Sequence, residues 1–279
     1  MQRIVLWALI IVAFIATESF SQDLVIKLNG KQINQFDISE LSKIIKPAEI
    51  TIYEPHEHKD RTYTGFPGYE LLKAIYKQDL QSDKDIYITC TDGYKASITV
   101  TKFLTYDSYI VFKSPGQTKF NLINKNQNNE LVDLKPFYLI WDNIKYPELK
   151  KIGAYDFPYQ IESIDLISFA QKFPNMSPPQ KSSEQVNRGF VSYRKYCSTC
   201  HTINGEGGSK AVELNYPVNV TEYFNNKYLR KWIDDPASIR YGTKMPRINP
   251  ALDNRSNVID DIIKYLKAMK KKKIRPELN

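Results

Sequence analysis

Cys197-Ser198-Thr199-Cys200-His201 constrains this chain more than any other stretch. The run has the form C-x-x-C-H, the spacing of c-type haem attachment. Two thiols three residues apart can each add across one vinyl group of a haem and hold the macrocycle by thioethers. His201 then falls under the iron as proximal ligand. Two other readings compete. A redox C-x-x-C pair asks for a βαβ setting, which the flanking residues do not offer. Half a zinc site needs two further ligands, and the other histidines, His56 and His58, lie about 140 residues upstream.

Attachment of this kind needs a compartment outside the bacterial cytoplasm, and the amino terminus suggests the route. Arg3 is a short positive region, and Ile4 to Ala16 is an apolar run of 13 residues, too short for a comfortable membrane span. Ser19 and Ser21 fit cleavage before Gln22, which makes residues 1–21 a signal peptide and the mature protein periplasmic. An uncleaved membrane anchor is the alternative. No later apolar run is long enough to span a bilayer. With Cys197 and Cys200 assigned to haem, Cys90 has no partner and reads as a small buried apolar residue.

Composition shifts along the chain. Residues 173–183, Phe-Pro-Asn-Met-Ser-Pro-Pro-Gln-Lys-Ser-Ser, read as a linker between a segment 22–172 and a segment 184–271, with a basic tail over 272–279. Residues 22–183 carry 20 Lys+Arg and 20 Asp+Glu, whereas residues 184–279 carry 18 and 10. The whole basic excess therefore belongs to the carboxy-terminal part. A basic surface beside a redox group suits an acidic redox protein as partner, because long-range attraction raises the encounter rate. The Lys270–Lys273 run also reads as a solvated helix end, favoured there by the helix dipole. Export removes nucleic acid as a partner.

After the linker, Ser183 is an N-cap candidate, and Val186, Phe190, Tyr193 and Cys197 recur near a helical period. Further helices are expected over about 225–234, stopped by Pro236, and over about 256–271. Gly205, Gly207 and Gly208 form an open loop after the first helix, which carries the C-x-x-C-H run. In this order the features from Glu184 to Lys271 resemble a small class I cytochrome c, about a third of the chain. The resemblance implies an all-α domain. It implies that Gly189 and Tyr193 pack the first helix against an aromatic on the last, here Tyr265. Leu229 to Pro236 resembles the helix before the axial-methionine loop, and Gly242-Thr243-Lys244-Met245-Pro246 resembles that loop. Met245 is then the distal iron ligand, a soft thioether opposite an imidazole. The resemblance further implies that Pro217 supplies a carbonyl to the second nitrogen of His201. Trp232 and Tyr241 would bond a haem propionate or fill the pocket wall.

Residues 22–172 carry β-like runs at 24–28, 49–53, 85–90, 97–100, 137–141 and 160–167, with a short helix at 69–76, an α+β pattern. Tyr63 to Leu72, Thr91-Asp92-Gly93-Tyr94 and Phe157 to Ile164 resemble the oxidoreductase molybdopterin-binding domain of the sulfite oxidase type. That family holds molybdenum through a Cys upstream of the position matched by Gly65, and residues 22–89 contain no Cys. The segment therefore reads as a cofactor-free relative. His56 and His58, at i and i+2, could share a strand face and bind a metal, but Lys59, Asp60 and Arg61 mark a solvated loop. The many tyrosines read as half-buried strand packing.

The expected protein has two domains, a sulfite-oxidase-like α+β domain and an all-α cytochrome c domain. It carries one covalent haem c and moves electrons rather than catalysing a reaction. Two alternatives stay open. One is a fusion to, or haem subunit of, a molybdenum oxidoreductase such as a sulfite dehydrogenase. The other is a haem sensor or peroxidase with an open axial position.

Overall fold

The computed structural model describes residues 23–277. The proposed signal peptide, residues 1–21, lies outside the described residues. The first strand, β1 (Leu24–Leu28), alternates as expected, with Leu24 and Ile26 wholly buried. Asn29 and Gly30, both at positive φ, turn the chain into β2 (Lys31–Phe36). Helix α1 (Ile38–Ile44) is started by a capping box between Asp37 and Glu40. A hairpin of β3 (Ala48–Glu54) and β4 (Lys59–Pro67) leads into α2 (Gly68–Tyr76). There follow β5 (Asp85–Cys90), β6 (Lys95–Thr99), α3 (Val100–Thr105) and β7 (Ser108–Lys113). A small ribbon, β8 (Asn121–Asn124) with β9 (Glu130–Asp133), precedes β10 (Tyr138–Trp141), β11 (Ile161–Ile167) and α4 (Phe169–Lys172). The remainder comprises α5 (Glu184–Tyr196), the short ribbon β12 (Thr202–Ile203) and β13 (Glu206–Gly207), α6 (Val220–Tyr223), α7 (Asn226–Asp234) and α8 (Arg255–Met269).

Two sheets enclose the larger core. One has the strand order β2-β1-β11-β5-β6 and the other β10-β7-β4-β3. Trp141, Tyr63, Tyr138, Phe66 and Phe137 fill the space between them and are almost completely buried. Cys90 lies in this core, 2% exposed, as a small apolar side chain would.

The two-domain expectation, with an all-α cytochrome c domain joined by a linker to an α+β domain, is corrected by the structure. The chain is one mixed α/β body. The carboxy-terminal third contains the β12–β13 ribbon and long irregular stretches as well as helices. Its apolar core is not its own. Tyr87 from β5, Ile167 from β11, Phe169 from α4, and Phe173 and Met176 from the 173–183 segment all belong to it. The physical reason lies in strand alternation. Along β5, Ile86, Ile88 and Cys90 face the larger core, while Asp85 and Tyr87 face the other way. That second face is covered by α5. Asp85 forms an ion pair with Arg194 of α5, whose guanidinium stacks 3.4 Å from the centre of the Phe169 ring. The Lys95 amide donates to the Thr199 carbonyl at 2.8 Å, tying β6 to the C-x-x-C-H segment. The 173–183 stretch reads as a linker from its Pro and Ser content, yet it buries Met176, whose carbonyl accepts the Tyr265 hydroxyl at 2.6 Å.

Helices α5 and α8 cross at Gly189. A Cβ there would lie 1.9 Å from the Asp261 carbonyl oxygen and 2.9 Å from Tyr265 Cβ. The rings of Tyr193 and Tyr265 meet at 5.1 Å beside this contact. The start of the tail is tied down rather than solvated. Lys272 Nζ donates to the carbonyls of Pro174 and Ser177, and Lys273 Nζ to the carbonyl of Pro217.

Candidate functional site

The site is built from the end of α5 onward. Ser183 caps the helix, its hydroxyl accepting from the Val186 amide. The helix stops at Cys197, and the amides of Cys200 and His201 both return to the Cys197 carbonyl, at 3.1 and 2.8 Å. This single tight turn sets both thiols and the imidazole on the wall of one cavity of about 390 Å³. The chain then folds back across the turn. Gly207, at φ +127°, and Gly208 pass so close that a Cβ would lie 2.3 Å from the His201 carbonyl oxygen and 2.1 Å from that of Thr199. The return leg brings the Val212 carbonyl to His201 Nδ1 at 2.7 Å. That bond places the Nδ1 proton toward the Val212 carbonyl and leaves Nε2 as the ring nitrogen without that partner.

The expectation for Pro217 is therefore corrected. Its carbonyl accepts Lys273 Nζ, while Val212, eleven residues after His201, takes the imidazole N–H. Nothing in the composition around Val212 marks it, because a backbone carbonyl can come from any residue.

Met245 and Trp232 line the same cavity as Cys197, Cys200 and His201. The Trp232 indole N–H donates to Met245 Sδ at 3.1 Å, so it is engaged with the sulfur rather than reserved for a propionate. Tyr241 is fully exposed and is not on the cavity wall, which corrects its expected place beside the cofactor. It follows the turn at Pro236–Ser238 in a stretch without regular structure.

A residue set unseen in the sequence steadies the Met245 loop. Gln127, in the β8–β9 turn, donates from Nε2 to the Lys244 carbonyl at 2.9 Å. Lys244 Nζ pairs with Glu130 Oε1 at 2.6 Å. Behind the cavity, the irregular 208–219 segment is fixed by wholly buried Asn215 and Asn219. Asn219 Nδ2 bonds Asn215 Oδ1 and the Leu266 carbonyl of α8.

The cavity wall is mainly apolar, with Leu214, Val220, Leu229, Ile262 and Leu266 beside the aromatic groups. Its size falls within the range of roughly 300–1,000 Å³ seen for cofactor pockets. Burial, then the neighbouring Cys200, pushes the Cys197 thiol up to about 12, and burial also raises Cys200. Reactive redox thiols are instead held low, so the pair does not suit a thiolate nucleophile. Burial lowers the His201 imidazole below its ordinary value, against the opposing pull of Val212 and Glu213, which favours the neutral form that ligates iron. Two thiols, a neutral imidazole with one orienting bond, a thioether and an apolar wall are the donor set that a covalent haem requires. No group of three or more His, Cys, Asp or Glu able to hold a metal ion forms among the described residues.

His56 and His58 lie elsewhere, in the β3–β4 turn. The solvated-loop expectation fails for His56, which is 5% exposed and bonded through Nδ1 to buried Glu54 at 2.7 Å. The β8–β9 ribbon covers this turn, with the Lys125 amide donating to the His56 carbonyl. His58 is exposed, and its Nε2 meets Asn126 Oδ1.

No protein-family model and no curated protein matches the chain. No helix among the described residues is long and apolar enough to cross a membrane.

Proposed function

We propose that this protein is an exported c-type cytochrome that carries single electrons through one covalent haem. The observation that carries the reading is the convergence of Cys197, Cys200, His201 and Met245 on one apolar cavity. The two cysteines would tether the porphyrin, with His201 and Met245 as axial ligands. When bound, the haem supplies a reversible one-electron couple whose potential depends on ligand identity and burial.

The remaining residues orient and shield. Val212 fixes the tautomer of His201, Trp232 holds the Met245 sulfur by one lone pair, and Gln127 steadies the loop from the other half of the body. The apolar wall excludes water, which lets ligand choice set the potential. The net basic charge of residues 184–279 favours an acidic redox protein as partner. The sheet-rich half serves as scaffold and docking module, in line with the absence of any Cys from residues 22–89 and with Cys90 buried in the core.

An optical spectrum of the protein exported to a periplasm, recorded oxidised and then reduced, tests this. A low-spin c-type spectrum with the far-red band of a thioether on ferric iron, lost in Met245→Ala, is expected. A high-spin spectrum that responds to small ligands and ignores Met245→Ala would move the protein to an open-site sensor or peroxidase.

A further inference from the structure

A second cavity, about 890 Å³, is bounded by the β3–β4 turn, residues 124–129, residues 150–155 and the irregular stretch 235–250. Tyr155, Gln127 and Met245 line both this cleft and the haem cavity. On its wall sits His56. Glu54, wholly buried, accepts His56 Nδ1 at 2.7 Å, the Tyr63 hydroxyl at 2.6 Å and the Tyr138 hydroxyl at 3.0 Å. Burial alone would raise the Glu54 carboxyl, but the hydrogen bond and charge of His56, with the Tyr63 bond, outweigh it and leave Glu54 below its ordinary range. Glu54 engages Nδ1, which leaves Nε2 as the ring atom open to the cleft. Nε2 has no hydrogen-bond partner among the described residues, although the side chain is nine-tenths buried. A buried imidazole oriented by a carboxylate and left open on its far side is arranged to meet a ligand.

The charges around the cleft indicate what kind. Lys150 and Arg247 line it, and neither forms an ion pair among the described residues; Lys150 Nζ lies over the Tyr53 ring at 5.1 Å. Asp235 is the single carboxylate among the lining residues. Tyr53 and Tyr159 offer aromatic faces, and the edge of His56 packs against Tyr159 at 5.7 Å.

We propose that this cleft binds a small organic acid, its carboxylate meeting Arg247 and Lys150 and a hydroxyl sharing a hydrogen bond with His56 Nε2. This goes beyond electron carriage and does not depend on it.

Calorimetric titration of the full chain, haem attached, with 4-hydroxybenzoate tests the site, because that probe carries both groups. Saturable binding of one molecule per chain is expected, with no binding of benzylamine, which has the opposite charge. His56→Gln and Arg247→Ala should each weaken binding by about tenfold or more, the loss of one good polar contact. Arg247 is exposed, so its variant reports on binding even if His56→Gln unfolds. Absence of saturable heat, equal binding of benzylamine, or unchanged binding in Arg247→Ala overturns the proposal. So does binding seen only when Cys197→Ser and Cys200→Ser remove the haem, since the cations would then serve the haem's own propionates. Intact mass reports haem attachment separately, so failure of this site and failure of the cytochrome reading are distinguishable.

Discussion

Gly189→Ala is the most informative single change in the scaffold of the proposed haem site. In an unhindered helix it would stabilise the protein by about 1 kcal/mol, because Gly is the poorer helix former. At this crossing the new methyl would lie 1.9 Å from the Asp261 carbonyl oxygen and 2.6 Å from its carbon. Both are backbone atoms of α8 and cannot rotate away, so the two helices must separate by more than an ångström. Overpacking of this kind costs about 1–3 kcal/mol, and a backbone clash belongs at the upper end. Subtracting the propensity gain leaves a net loss of about 2 kcal/mol, or about 4–8 °C in melting temperature for a chain of this size. Val191→Ala, on the exposed side of the same helix at 64% exposure, is the control and should be neutral or slightly stabilising. Urea titration of the three proteins, followed by far-ultraviolet circular dichroism, gives the comparison. A Gly189→Ala protein as stable as the parent would refute the close crossing of α5 and α8.

Arg194→Met removes the partner of buried Asp85 and the cation stacked on Phe169; a loss of about 2–3 kcal/mol in urea titration is expected, below the full buried-pair value because Arg194 is partly exposed. If Arg194→Met with Asp85→Asn proves no better than the sum of the single changes, the coupling between sheet and helix is absent. Glu54, whose carboxyl is depressed in the folded state, contributes stability that is complete above its unfolded value of roughly 4.3 and is lost as pH falls through the lower folded value. Glu54→Gln should therefore be less stable at neutral pH and show a shallower acid limb, and parallel stability curves for the two proteins would contradict this. Gln127→Ala frees the Lys244 carbonyl, so the far-red band of the oxidised protein should fade at a lower temperature while global unfolding stays within a few degrees. An unchanged band would show that the loop is held without Gln127.

The local elements were legible because each rests on nearby residues. Ser183 and the apolar spacing after it marked α5, and the Gly189–Tyr193–Tyr265 contact was implied by the resemblance of this stretch to a small cytochrome c. The strand β5 was visible as a β-like run, but not that both its faces are buried, since Asp85 looks like a solvent-facing residue until Arg194 arrives from 109 positions away. That second buried face joins the two halves into one body. The 173–183 segment misled for a related reason: its prolines and serines describe backbone habit, whereas the burial of Phe173 and Met176 depends on a surface built by distant residues. In the site, Cys197, Cys200 and His201 were marked by their spacing and Met245 by the resemblance of its loop, whereas the bond from His201 to Val212 and that from Gln127 to Lys244 use main-chain carbonyls, which carry no side-chain signature. The burial of His56 was hidden because the charges after it suggested water, yet Arg61 is itself buried, donating to Glu57 at 2.9 Å.

The most direct measurement is the intact mass of the chain, expressed with an export route and a haem-attachment system, then denatured and extracted to remove unbound haem. A mass one haem above the processed polypeptide is expected, falling back to the bare polypeptide when Cys197 and Cys200 are both replaced by Ser. A wild-type chain that carries no added mass after extraction would contradict the central claim that Cys197 and Cys200 anchor a haem.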